Sequence, residues 1–193
     1  LSIGCNKLYL LPYEFRPTHY VFEDRVVTED VFAERPPLDA TTIWLPHDLG
    51  HLATTGIRYC LDRVVIDYPS FSTTPDLAYS GWTVMYVMLQ IAYWMGVREV
   101  FLVGVDGTYH EPSHTSAGVV RTSAGVDHNH FISDYYGPGA RYQRPAPERV
   151  AAAYDCAQRV YAADGRRIVN CSAQSAINAF ERGTLPPPGH FDA

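Results

Sequence analysis

Histidines and carboxylates crowd the middle of the chain. His110, Glu111 and His114 spell H-E-x-x-H, the pattern in which two histidines one helical turn apart hold zinc and the glutamate acts as base. Further on, DHNHFISDYYGPG brings His128, His130, Asp134, Tyr135 and Tyr136 within about ten residues. A histidine or aspartate there can serve as general base, and tyrosine hydroxyls can hold a leaving phosphate. The plainer alternative for this second stretch is an aromatic loop packed over a sheet edge. For HEPSH the zinc-protease reading fails on physical grounds. Pro112 stands inside the motif, where it would remove a helix hydrogen bond. Gly, Ser and Thr surround it instead of helix formers, and no third histidine follows at the spacing a metzincin needs. The spelling is read as accidental. A looser zinc site from His110, His114, His128 and His130 would have neither cysteine nor fixed spacing to support it. The string His128-Asn129-His130 is no HNH nuclease either, because that motif is dispersed over a ββα unit.

The elements that must position these residues are legible as short apolar runs alternating with helix-length segments. HYVFED, TTIWLP, RVVIDY, EVFLVGVD and RRIVNCS read as strands. EVFLVGVD is continuous and aliphatic, which predicts a parallel strand buried on both faces. One helix is expected from Ser80 to Met95, capped by Ser80 and stopped by Gly96. It is apolar nearly all round and holds all three methionines, as a buried helix does. A second is expected from Pro147 to Asp164, with Val150, Tyr154, Ala157 and Tyr161 as its stripe and Gly165 as its stop. A strand follows each helix, so the fold class is α/β with a mainly parallel sheet. The stretch from Gly107 to Arg144 is polar and is expected to be a long irregular loop carrying function. Residues 186–193 are expected to be a loose tail after one domain over 1–185.

Position ties the chemistry to these elements. In open α/β sheets, ligands bind beyond the carboxyl ends of the strands. Asp24, Asp106, and Asn170 with Ser172 close predicted strands, and Ser80-Gly81 opens the buried helix, where free N–H groups favour phosphate. Together they outline a crevice for a nucleotide or phosphorylated ligand. There is no G-x-x-x-x-G-K-[ST], G-x-G-x-x-G or G-x-S-x-G, so P-loop kinase, dehydrogenase and hydrolase readings lack support.

Composition narrows the classes further. With 193 residues and 47% hydrophobic content the chain can bury a substantial core. A net charge of −6 without a basic stripe argues against nucleic acid. Four cysteines without a C-x-x-C pair predict reduced, buried thiols and a cytoplasmic setting. No apolar run reaches the roughly 20 residues of a membrane span, and the opening residues carry no signal-peptide pattern. The chain opens on LSIGCN without an initiator Met and is read as a piece of a longer protein. Self-association and peripheral contact with a membrane stay open.

IGCNKLYL, RPTHYVFED, YSGWTVMYVMLQIAYWMGVREVFLVGVD, HNHFISDYYGPG and GRRIVNCSAQSAINAFER follow one another in this order. The pattern resembles the superfamily that joins bacterial lipooligosaccharide sialyltransferases to the MptE-like hydroxymethylpterin diphosphokinases. The resemblance spans most of the chain and is weakest between Arg25 and Asp76. It implies a Rossmann-like domain with helices on both faces of the sheet and a nucleotide-linked donor at the strand ends. In the sialyltransferases the donor is a CMP-sugar and no metal is needed. Cys5-Asn6 matches their Cys-Asn, which implies that Asn6 contacts the donor phosphate or ribose. Ser80-Gly81 matches their Ser-Gly, and Gly104-Val105-Asp106 matches their Gly-Ile-Asp, whose backbone would face the nucleotide. Tyr109 is the nearest equivalent of a tyrosine that supports the leaving phosphate, and Asp24 stands where they have Asn. The resemblance departs at three points. Their catalytic His aligns with Asp134, one turn after His130, so the base is His130 or Asp134. Leu77 replaces a donor-binding Arg. Their first strand and Gly-Asn-Gly-Pro-Ser-Leu loop would precede Leu1.

The function expected is therefore inverting transfer of a sialic acid-like sugar from a CMP-linked donor to a glycan hydroxyl. His130 or Asp134 would be the base, and Tyr109 or Tyr135, with Ser80, would hold the leaving phosphate. The alternatives are a diphosphokinase using ATP and Mg²⁺ held by Asp24 and Asp106, and a catalytically silent binding module.

Overall fold

The structure, a computed structural model, describes residues 1–12, 15–34, 38, 40, 42–53, 57–61, 63–65, 69–109, 119–121, 127–137, 139–187 and 189. It is mixed α/β. The described elements are β1 (Ile3–Cys5), β2 (His19–Val21), α1 (Arg25–Glu34), β3 (Thr42–Pro46), β4 (Ile57–Leu61), β5 (Arg63–Val64), β6 (Ala78–Tyr79), α2 (Val84–Trp94), β7 (Glu99–Leu102), β8 (Val119–Arg121), β9 (Arg141–Gln143), α3 (Pro147–Ala163), β10 (Arg167–Asn170) and β11 (Glu181–Arg182). Two compact units are formed, one from Ser2–Asp62 with Tyr109–Pro145, the other from Leu1, Arg63–Thr108 and Ala146–Ala193.

The first unit is built on a parallel sheet of order β1-β2-β3-β4. Tyr20 lies opposite Ile43 in its register, and Thr42 opposite Ile57. Every residue of β3 is buried, as expected of a strand covered on both faces. Sequence reasoning missed α1, and its composition shows why. The helix starts on Arg-Val-Val-Thr, where β-branched residues lower helix propensity. A cap compensates: Asp24 Oδ1 accepts the Val27 N–H at 2.9 Å. Val27 and Val31 then bury their side chains against Tyr20, Phe22, Ile43 and Leu45. The stretch expected to be wholly irregular contains an antiparallel ladder, β8 on β9. Arg141 of β9 holds Asp30 of α1 at 2.6 Å. Trp44 of β3 donates its Nε1–H to His19 Nδ1 of β2 at 3.2 Å.

The second unit has a parallel sheet of order β11-β10-β7 and a parallel pair, β5 with β6. Here β7 departs from expectation. Only Leu102 of the strand is buried, and Val103 is 63% exposed. Among the described residues β7 pairs with β10 alone, so β10 takes the central place and buries Ile168, Val169 and Asn170. Helix α2 starts later than expected. Gly81 and Trp82 adopt left-handed φ values of 57° and 64°, and the Thr83 N–H closes a turn onto the Ser80 carbonyl at 3.2 Å. Helical geometry can begin only after that turn, so Thr83 is the cap, its side chain accepting the Met85 N–H. Both helix stops match expectation. Gly96 donates to the Tyr93 carbonyl and Val97 to that of Ala92, while Gly165 donates to Ala162 and Arg166 to Tyr161. Each glycine is left-handed, and each pair of bonds forms a Schellman cap.

The helices bury one another's apolar faces. The predicted stripe Val150, Tyr154, Ala157 and Tyr161 lies in one core with Tyr86, Leu89, Leu102 and Ile168. Gln90 is completely buried in α2. Its Oε1 accepts the N–H groups of Ser72 and Tyr79, and its Nε2 donates to the carbonyls of Tyr79 and Tyr86. A buried amide so satisfied is stable, whereas its loss strands backbone groups. No helix among the described residues is long and apolar enough to cross a membrane.

Two outcomes are expected. Gln90→Leu leaves the buried Ser72 N–H and the part-buried Tyr79 N–H without acceptors and lowers stability by about 3 kcal/mol in urea unfolding. Burial lowers the pKa of His19 from its ordinary 6.5. The unfolded chain then takes up the proton first, so this contribution is complete above 6.5 and is lost as pH falls below it. The fall in Tm between about pH 7.5 and about pH 5.5 should be smaller in His19→Gln than in the unsubstituted protein.

Candidate functional site

The richest constellation lies in the first unit, where the segment 127–137 meets the carboxyl end of β1. Asp127 begins it. The Asp127 N–H donates to the Ser133 carbonyl at 2.8 Å, closing the segment into a loop. Asp127 Oδ1 accepts the Asn129 N–H at 2.8 Å. Both carboxylate oxygens face His130 Nδ1, at 2.9 and 3.1 Å. The Asp127 side chain is 7% exposed and that of His130 30%. A buried carboxylate on Nδ1 fixes that nitrogen as the N–H, so Nε2 carries the basic lone pair.

The ring of His130 is held from below. It stacks on Tyr135 with centroids 3.8 Å apart and planes 5° from parallel. Tyr136 meets it edge-on at 5.1 Å and itself stacks on Tyr142 of β9. Tyr135 is 5% exposed, and its hydroxyl accepts the Lys7 N–H at 3.2 Å. Burial pushes the hydroxyls of Tyr135 and Tyr136 above their ordinary pKa, so both stay protonated. The expected role of Tyr135 on a leaving phosphate thus competes with a role the geometry makes plain, the support of His130.

The strand end beside this tie is unusual. Asn6 has a left-handed φ of 49°, which Asn tolerates better than most residues. Its carbonyl accepts the Tyr20 hydroxyl at 3.0 Å, and that hydroxyl accepts the Tyr9 N–H. Its side-chain Oδ1 is buried and has no hydrogen-bond partner among the described residues. A buried acceptor without a donor is an unstable arrangement that an N–H or O–H group would relieve. Next to it, Lys7 is buried and reaches Glu34 at 2.6 Å, while Tyr9 donates to the same carboxylate at 2.5 Å. Burial opposes ionisation of Glu34, but the bonds from Lys7 and Tyr9 outweigh it and hold its carboxyl below the ordinary range.

The other expected site residues stand as follows. Asp24 ends the β2 segment and caps α1 through Oδ1. Asp134 is exposed, and Tyr109 is 39% exposed. In the second unit, Ser80 is buried and serves the turn, its Oγ accepting the Trp82 N–H. Gly81 is required there, because a Cβ would lie 2.2 Å from the Tyr86 ring. The Val105 N–H donates to Ser172 Oγ, and its carbonyl accepts from Asn170 and Ser175. The backbone expected to face a nucleotide is therefore engaged internally at Val105, while Gly104 and the Asp106 side chain are exposed. His110, Glu111 and His114 lie outside the described residues, and among those described no group of three or more His, Cys, Asp or Glu is arranged to hold a metal. Cys5, Cys156 and Cys171 are half-buried free thiols, and burial pushes Cys5 up to about 12.

Sequence reasoning missed Asp127 and Lys7. The spacing Asp-x-x-His was present in DHNH, and an Asp opening a loop readily accepts the N–H two residues on. Nothing in the sequence marked Lys7, whose burial depends on Glu34. Comparison of the chain with models of known protein families, with curated proteins and with solved structures gives no match.

The Asp127 contact makes a measurable claim. Nitrogen NMR at about pH 8 should show His130 as the Nδ1–H tautomer. Asp127→Ala should abolish that preference without unfolding the protein.

Proposed function

We propose that this chain is a Rossmann-like transferase domain that moves a sialic acid-like sugar from a CMP-linked donor to a hydroxyl of a glycan acceptor. The observation that carries the reading is the His130 ring, with Nδ1 on a buried carboxylate and its plane stacked on Tyr135. Such a pair is suited to taking a proton from an attacking hydroxyl. The order of sequence motifs supplies the substrate class.

In this mechanism the acceptor oxygen attacks the anomeric carbon while its proton passes to His130 Nε2. The bond from that carbon to the nucleotide phosphate breaks, and the phosphate leaves with the electron pair. Asp127 keeps the imidazole in the reactive tautomer and stabilises the imidazolium that forms. Asn6 Oδ1 offers its unfilled acceptor to an O–H or N–H group of the donor. Tyr109 is the candidate partner of the leaving phosphate. We assign the base to His130 in preference to Asp134, because the exposed aspartate has no comparable partner among the described residues. The diphosphokinase alternative draws less support, since Asp24, one of its two metal ligands, is engaged as the cap of α1.

Calorimetry with CMP, CDP, UDP, GDP and ADP, each with EDTA and with Mg²⁺, tests the reading. Metal-independent CMP binding is expected. Binding of ADP with Mg²⁺ alone would establish the diphosphokinase instead, and no nucleotide binding would leave the silent module. With a confirmed donor and acceptor, His130→Ala should reduce kcat by about 100-fold or more, and Asp134→Asn should have little effect.

A further inference from the structure

Phe131 directly follows the candidate base and is 49% exposed. A single apolar side chain at a surface is ordinary. What sets this one apart is its support. The loop that carries it is closed twice, by the Asp127 N–H on the Ser133 carbonyl and by the Tyr135 N–H on the Ile132 carbonyl. Phe131 then meets the ring of Tyr135 edge-on, with centroids 5.7 Å apart. Tyr135 is the same buried ring that bears His130 on its face at 3.8 Å and meets Tyr136 edge-on at 5.0 Å. One fixed ring therefore holds two consecutive side chains that both reach solvent, an imidazole and an apolar plane. All of these residues belong to the first unit.

Each side chain makes its own demand on a ligand. His130 Nε2 must come within about 3 Å of the hydroxyl oxygen whose proton it takes. That hydroxyl belongs to the acceptor, and the next side chain along the loop is Phe131. A phenyl ring is complemented by a flat apolar surface. In a polyol only a closed ring gathers C–H bonds on one face and sets its hydroxyls at the rim. A pyranose thus meets both demands, its C–H face on Phe131 and one hydroxyl on Nε2. A nucleobase also stacks on aromatic rings. In the donor, however, a ribose and a phosphate separate the nucleobase from the carbon under attack, and so from His130.

We propose that Phe131 is the stacking residue for a pyranose ring of the acceptor and selects cyclic sugars over open-chain polyols. As part of the transferase it rests on the reading given above. As a sugar-binding side chain it can be tested without a donor.

Saturation-transfer NMR and titration of the full chain with methyl β-glucopyranoside, methyl β-galactopyranoside and, for an open chain, galactitol read the stacking, and CMP calorimetry reads the donor. Binding of at least one pyranoside is expected, with saturation strongest on the C–H protons of one ring face, and no binding of galactitol. Phe131→Ala should weaken pyranoside binding by about tenfold, the scale of one lost stacking partner, while Tm and CMP binding stay level. Phe131→Trp, which keeps an aromatic plane, should retain the sugar. The proposal is overturned if neither pyranoside binds, or if Phe131→Ala leaves their affinity unchanged. It is equally overturned if Phe131→Ala removes CMP binding but not pyranoside binding, or if it lowers Tm and Phe131→Trp fails to restore the sugar. Phe131-dependent pyranoside binding without any CMP binding would keep the stacking residue and refute the transferase.

Discussion

The hydrogen bond from the Lys7 N–H to the Tyr135 hydroxyl organises the first unit. It joins residues 128 positions apart, and it fixes the ring on which His130 lies. Through Tyr135 the loop is referred to the end of β1. Through Tyr136 and Tyr142 it is referred to β9, and through Arg141 to α1. An imidazole at the surface is ordinarily free to change rotamer. Here one face is covered by a phenol ring and one nitrogen by a buried carboxylate, so the remaining nitrogen has a defined direction. Preorganisation of this kind lowers the cost of reaching a reactive geometry.

The two units treat the polar groups at their strand ends differently. In the second, Asn170, Ser172 and Ser175 use their hydrogen-bonding capacity on Val105 and on one another. That network holds the chain as it leaves β7, and it explains why an Asn can be completely buried at the end of β10. In the first unit the corresponding balance is incomplete. Asn6 satisfies its carbonyl but not its Oδ1. A fully satisfied cluster rigidifies, whereas an unsatisfied buried acceptor invites a partner. This contrast, rather than residue type, separates polar groups whose hydrogen bonds are complete from one whose are not, and it cannot be read from sequence.

Legibility in the sequence followed the range of the determining interaction. Both helix stops were evident, because a left-handed glycine and its two hydrogen bonds lie within six residues. The stripe of α3 was evident because periodicity is local. The start of α2 was misplaced by four residues, since Ser80, Gly81 and Trp82 form a turn that Tyr86 enforces from inside the helix. Helix α1 was hidden because its valines favour strands, and only packing against Tyr20, Phe22 and Ile43 decides the matter. The burial of β7 was overestimated, because an apolar run reports what a strand could bury and not how many neighbours it has. His130 could be nominated from its loop, but its choice over Asp134 needed Asp127 and Tyr135 in place.

Neither unit is continuous in the chain. The stretch Tyr109–Pro145 belongs with Ser2–Asp62, and it interrupts the second unit between Thr108 and Ala146. The polypeptide therefore passes from one unit to the other at residues 1/2, 62/63, 108/109 and 145/146. No single cut releases either unit whole. The loop bearing His130 is synthesised well after the β1 strand whose end it must meet, and closing that interval carries an entropic cost that grows only slowly with length. Truncation after Thr108 would leave the first unit without its aromatic support and the second without α3. Interleaving of this kind means that no division of the chain into two consecutive fragments yields the two units.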